Sequence, residues 1–152
     1  MAIQFLTGQV AVSDPSPVGP TALSGPSKDL SAKVVRLTSA NFTTTGVNTL
    51  VAVLPADSTI ISFRTYVKTV LSGNGVTLPT ATIGATSGGS DYTSALAITN
   101  TAGTYAVASP VTAIMQAYQV PQGNDLAIWF RGLCSTGNPT AGELFLVIEY
   151  VR

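Results

Sequence analysis

Glu143-Leu144-Phe145-Leu146-Val147-Ile148-Glu149-Tyr150-Val151 is the stretch that decides the fold class of this chain. Its even-numbered members are all large and apolar: Leu144, Leu146, Ile148 and Tyr150. Its odd-numbered members mix apolar and acidic residues: Glu143, Phe145, Val147, Glu149 and Val151. Because successive side chains of a β-strand point to opposite faces, this alternation predicts a strand that is covered on both faces.

The same alternation recurs in a second long run, Leu126 to Leu133. One face of that run carries Leu126, Ile128 and Phe130, and the opposite face carries Ala127, Trp129 and Arg131. Further back in the chain, β-branched and aromatic residues form more short runs that Gly, Pro, Asn and Asp separate. These runs are Lys33–Leu37, Val47–Leu54, Thr59–Leu71, Thr77–Ala85, Ala95–Thr99, Thr104–Ala108 and Thr112–Val120.

The run Thr59 to Leu71 has a predicted core face and ends at a turn. Alternation places Ile61, Phe63, Val67 and Leu71 together on the core face. Ser72-Gly73-Asn74-Gly75 follows, and Asn-Gly readily adopts the positive φ angles of a tight hairpin. No 3.6-residue periodicity persists, so the sequence predicts an all-β protein with about eight or nine short strands. We expect residues 31–152 to form one β-sandwich domain, with the jelly roll as the natural version at this length.

Residues 1–30 differ from the rest of the chain, because they are rich in proline and contain no strand pattern. Proline removes backbone donors and biases the preceding residue towards extended conformations, so this segment is predicted to be an extended arm. A disordered tail is the alternative. Apolar residues near the start favour an arm that anchors on a partner. The candidate partner-binding residues are Ile3, Phe5, Leu6, Pro15, Pro17 and Pro20.

The charge content indicates what kind of partner to expect. Only 9% of residues are charged, against about 25% in typical domains, so little charge repulsion keeps copies apart. This composition favours oligomerisation. Seven Lys and Arg balance seven Asp and Glu without a basic stripe, so we expect no binding to nucleic acid.

The start of the chain lacks the pattern of a secretory signal and no run is long enough to span a membrane, so we expect synthesis in a cytoplasm and no membrane partner.

The residue types that carry most enzyme chemistry are missing. The chain has no histidine, which removes Ser-His-Asp and Cys-His nucleophiles and the commonest metal ligand. Cys134 is the single cysteine, so it forms no intrachain disulfide and is expected to be an inert small residue. Glu143 and Glu149 would lie about 20 Å apart along one strand, too far for a glycosidase pair. We therefore expect no catalytic residues, no metal and no cofactor.

Trp129 allows two interpretations. With Arg131 it could join tyrosines in a platform that stacks on sugars, as in lectin-type sandwiches. The tyrosines in question are Tyr66, Tyr92, Tyr105, Tyr118 and Tyr150. The alternative, which we favour because Trp129 lies in an apolar strand, is that these rings fill the core or a subunit interface.

Residues 45 to 152 resemble small virion proteins of tailed bacteriophages, of the capsid decoration (cement) or head-fibre type. The resemblance lies in a strand, a Gly-rich turn and a strand ending in Ile-Gly, followed by two late alternating strands. The stretches that carry it are Asp57–Phe63, Val67–Thr77, Ala81–Thr86, Gly123–Phe130 and Gly142–Tyr150.

This resemblance implies a jelly roll or similar sandwich, commonly trimeric, that binds the major capsid protein on the outer surface of the virion. The Pro-rich arm would then reach the capsid or a neighbouring decoration subunit. The second hypothesis is a carbohydrate-binding module or receptor-binding fibre domain that presents Trp129. A self-assembling coat protein ranks third, and an enzyme ranks last.

Overall fold

The computed structural model describes residues 30–56, 58–108 and 124–151, which contain nine β-strands and one 3-10 turn. The turn is Ser39–Asn41. The strands are β1 (Leu30–Thr38), β2 (Phe42–Thr43), β3 (Val47–Leu54), β4 (Thr59–Ser72), β5 (Thr80–Gly84), β6 (Thr93–Ala97), β7 (Tyr105–Ala108), β8 (Leu126–Leu133) and β9 (Ala141–Val151). Several predicted features lie outside the described residues: the strand Thr112–Val120 and the arm residues Ile3, Phe5, Leu6, Pro15, Pro17 and Pro20.

The described strands form two sheets. The first sheet has four strands in the order β1-β9-β4-β7, and each neighbouring pair is antiparallel. The second sheet has five strands, in the order β2-β8-β5-β6 with β3 also paired to β8. The inner faces of the two sheets share one apolar core, so the prediction of an all-β sandwich is confirmed.

The core lies between the two alternating strands that the sequence singled out. Leu144, Leu146 and Ile148 of β9 are fully buried, and so are Ile128 and Phe130 of β8. The ring of Phe130 meets that of Phe42 edge-on, with ring centroids 5.6 Å apart. Both β8 and β9 have neighbouring strands on both sides, so burial of their inner faces holds the two sheets together.

Strand β4 departs from simple alternation at its start. Glu149 of β9 pairs with Ser62, whereas the next residue, Tyr150, pairs with Ile60, so Ile61 is an extra residue in β4. Such a bulge shifts the alternation on one side of the extra residue. Ile60 is consequently buried at 2% exposure, while Ile61 is 39% exposed. The sequence-based placement of Ile61 in the core is therefore wrong, although Phe63, Val67 and Leu71 are buried.

The glycine-rich turn after β4 has the expected backbone but a different role. Gly73, Asn74 and Gly75 all have positive φ, and the Val76 N–H donates to the Gly73 carbonyl at 3.2 Å. The turn nevertheless does not close a hairpin, because β4 belongs to the first sheet and β5 to the second. Asn74 Nδ2 donates to the Asn138 carbonyl at 2.8 Å, which ties the turn to the segment before β9.

The bulge generates a prediction with a built-in control. Ile60→Ala removes a buried side chain and should lower the free energy of unfolding by about 2 to 5 kcal/mol. Ile61→Ala changes the same residue type one position away and should cost less than about 1 kcal/mol, because its side chain is already partly in water. Urea denaturation followed by circular dichroism measures both values, and a larger loss for Ile61→Ala would contradict the bulge.

Candidate interaction surface

The outer face of the first sheet carries a contiguous set of apolar and aromatic side chains. Since Leu144, Leu146 and Ile148 face the core, Phe145 and Val147 face away from it. Cross-strand pairing then shows which side chains lie beside these two. The row through Phe145 is Arg36, Phe145, Tyr66 and Tyr105, and the row through Val147 is Val34, Val147, Arg64 and Val107.

We call the six apolar and aromatic members of these rows the outer patch: Val34, Tyr66, Tyr105, Val107, Phe145 and Val147. Four of them are strongly exposed, with exposed fractions of 60% for Val34, 43% for Tyr66, 66% for Tyr105 and 53% for Val107. Phe145 and Val147 are half-buried between them. With strands about 4.8 Å apart, the patch extends roughly 15 Å across the sheet. Contiguous exposed apolar surface of this kind is typical of protein contact sites.

Ion pairs border the outer patch and hold its charged residues in place. Glu143 pairs with both Arg36 and Lys68, and the Lys68 Nζ lies 3.0 Å from the carboxylate. The same Nζ stands 6.0 Å from the centre of the Phe145 ring, which is within cation–π range. Across the patch, Arg64 pairs with Glu149.

These pairs present positive groups to the solvent. The side chains of Arg36, Arg64 and Lys68 are more than half exposed, whereas the two glutamates beneath them are largely covered. Hydrogen bonds from Lys68 and Arg36 lower the pKa of Glu143, so its carboxylate stays ionised. Exposed ion pairs add little to stability, so their main effect here is to orient the cations at the rim of the patch.

The outer face of the second sheet holds Trp129. Trp129 lies between the buried residues Ile128 and Phe130, and therefore points away from the core. Its cross-strand partner in β3 is the exposed Leu50. In the single chain Trp129 is therefore partly exposed and does not fill the core, while its place in a subunit interface stays a prediction.

The tyrosines do not join Trp129 in one platform. Tyr92 is fully buried, with its ring centroid 6.0 Å from that of Phe63, and Tyr150 packs against the core from its edge. Tyr66 and Tyr105 belong to the outer patch, which is on the opposite side of the sandwich from Trp129. Tyr118 lies outside the described residues.

Sequence reasoning did not predict that Tyr66, Tyr105 and Phe145 lie beside one another. Alternation did place Phe145 on the second face of the last strand, and this was the available signal. Its neighbours depend on the register between strands that are far apart in the chain, which alternation does not reveal.

The described residues contain neither a candidate metal site nor an activated thiol. Within residues 30–56, 58–108 and 124–151, no three His, Cys, Asp or Glu side chains cluster so that they could hold a metal ion. Cys134 is buried, and burial raises the pKa of its thiol, which disfavours the reactive thiolate. No helix in these ranges is long and apolar enough to cross a membrane.

No protein-family model and no curated protein matches the chain. Among solved structures, it is similar to a chain of the cyanophage Pam1 capsid asymmetric unit, with 14% identity and a TM-score of 0.57. That match covers 97% of this chain and 99% of the other. It is also similar to a chain of the capsid of Ralstonia phage GP4, with 17% identity, a TM-score of 0.54 and 91% of each chain covered. This chain therefore shares its fold with both of these chains over nearly their whole lengths.

Proposed function

We propose that this protein is a structural component of a bacteriophage virion, which binds the major capsid protein on the outer capsid surface and reinforces the shell as a decoration (cement) protein. The observation that carries this proposal is the reciprocal match to chains from two phage capsids, which spans at least 91% of every chain compared. The missing histidine agrees with a role that requires no catalysis.

The strand order supports a jelly-roll assignment within this proposal. A jelly roll consists of two packed sheets whose consecutive strands largely alternate between them. Here β1, β4, β7 and β9 belong to the first sheet, while β2, β3, β5, β6 and β8 belong to the second. Among the described connections, the chain crosses between the sheets after β1, β3, β4, β6 and β8.

Attachment to a shell would rest on many weak contacts instead of one strong site. A capsid repeats the same binding surface, so a linked group of subunits gains from effective concentration once its first contact has formed. Low charge suits this use, because the centres of protein interfaces are depleted in charged residues. The outer patch offers apolar surface for such contacts.

The N-terminal arm, residues 1–30, has the second role in this proposal. Ile3, Phe5 and Leu6 would anchor it on the capsid or on a neighbouring subunit. Ordering a chain segment costs roughly 1 to 2 kcal/mol per residue, and prolines such as Pro15, Pro17 and Pro20 reduce that cost by restricting the free chain.

Carbohydrate binding remains the second candidate, because Trp129 is partly exposed on the outer face of the second sheet. Trp129 is also the only tryptophan of the chain, so its fluorescence reports on that face alone. A titration with polysaccharides that changes this emission would favour a carbohydrate-binding module or a receptor-binding fibre domain.

The purified protein should be a trimer. Its mass in solution, measured by multi-angle light scattering, should be three times the 15.5 kDa of a single chain. The physical reason is the exposed apolar surface combined with few charges to keep copies apart. A monomer at micromolar concentration would argue against assembly through this surface.

Deletion of residues 1–26 should leave the sandwich folded and abolish attachment to capsids of the phage whose genome encodes the chain. The fold should persist because every buried side chain of the described core comes from residue 37 onwards, and Val35, which packs against it, also lies outside the deletion. Cosedimentation with capsids measures attachment, and circular dichroism checks the fold. Full capsid binding by the truncated protein would count against the role of the arm.

A further inference from the structure

We infer that the outer patch of one copy is the docking site for residues 3–12 of a neighbouring copy. This inference rests on the proposed function and deepens it, because it names the surface to which the N-terminal arm binds. Five observations carry it: where the arm joins the domain, the length of its proline-rich part, the chemistry of its apolar part, the charge that follows that part, and the contrast between the two outer faces.

The arm joins the domain at the border of the outer patch. Residue 29 leads directly into Leu30, the first residue of β1. Leu30 pairs with Val151, and it is exposed on the same face as Val34, a member of the patch. An arm that leaves the domain here starts on the sheet face that carries the patch.

The length of the proline-rich part favours a neighbouring copy over the same chain. Residues 13–29 contain Pro15, Pro17, Pro20 and Pro26, and in an extended proline-rich conformation they would span roughly 50 Å. Val34 lies about 13 Å along the strand from Leu30. In that conformation the spacer would be several times longer than this distance and would carry residues 3–12 past their own patch, so a second copy is the better placed acceptor.

The apolar part of the arm matches the patch in chemistry. Residues 1–12 contain no charged side chain, and Ile3, Phe5 and Leu6 fall in this part. Apolar side chains gain most from a surface such as Tyr105 and Val107, which water otherwise covers.

The charges also match. The first carboxylate after the apolar part is that of Asp14. The exposed cations at the rim of the patch, Arg36, Arg64 and Lys68, provide its natural partners.

The outer face of the second sheet is a poorer match. Its strongly exposed apolar residues among the described strands, Leu50 and Val53, both come from β3, and their apolar rows reach only one further strand, β8, at Trp129 and Ala127. In its described part this face carries a single cation, Arg131, whose guanidinium donates to the Thr45 carbonyl at 2.8 Å, whereas three cations border the outer patch. Val53 is 51% exposed and Val107 is 53% exposed, which makes Val53 a matched control for the patch.

Disulfide trapping in the full-length protein tests this inference without capsids. A chain with Phe5→Cys is mixed with a mass-tagged chain with Val107→Cys, allowed to exchange subunits, and oxidised with copper phenanthroline. We expect a covalent dimer of one untagged and one tagged chain, with a 5–107 bond identified by peptide mass spectrometry. The buried native Cys134 is present in all samples, and Val53→Cys replaces Val107→Cys in the control.

Each outcome is decisive. A 5–107 bond between chains, at least tenfold more abundant than the 5–53 bond, supports the inference. Equal yields of the two bonds overturn it, as does the absence of a 5–107 bond. In a chain that carries both Phe5→Cys and Val107→Cys, a bond formed mainly within one chain overturns the assignment to a neighbouring copy.

A second measurement does not depend on cysteine chemistry. Val107→Glu should reduce the oligomer mass measured by light scattering, whereas Val53→Glu should leave it unchanged. These experiments distinguish a failure of this inference from a failure of the proposed function. Trapped 5–107 dimers without capsid binding would defeat the proposed function alone, and arm-dependent capsid binding without such dimers would defeat only this inference.

Discussion

The central position of β9, which is paired along both edges and packed against the core on one face, is the constraint on which the described structure depends. This strand lies between β1 and β4, so its backbone pairs along both edges, and Leu144, Leu146 and Ile148 extend into the core. Burial of three such side chains from one strand forces a second apolar layer to cover them, which β8 provides with Ile128 and Phe130. The sandwich follows from that requirement.

The same strand organises the surface. Phe145 and Val147 alternate with the core residues, so the pairing that builds the core also places aromatic and aliphatic neighbours beside them on the opposite face. Glu143 and Glu149 sit on this face too, and each holds a cation at the rim of the patch. The core and the outer patch are therefore two sides of one sheet, and changes in strand register would alter both together.

The proposed assembly role would explain features that are unfavourable in an isolated protein. Exposed valines and tyrosines in adjacent rows and a low charge content both promote association. In a shell built from many copies, that tendency becomes useful, because each subunit meets the same partners at fixed positions. Recognition between copies depends on shape, apolar area and a few charges, so it does not require the histidine that the sequence lacks.

The amino-acid sequence by itself determined the all-β class and the inward faces of β8 and β9, because alternation is a local property that each strand shows without its neighbours. It also showed which chemistry the chain lacks. The tertiary structure was needed to place Ile60 in the core instead of Ile61, to send the chain from β4 into the other sheet, and to leave Trp129 partly exposed beside Leu50. It alone brought Tyr66, Tyr105 and Phe145 into one row. These outcomes depend on which distant strands pair and in which register, and that choice is made by the packing of the whole core.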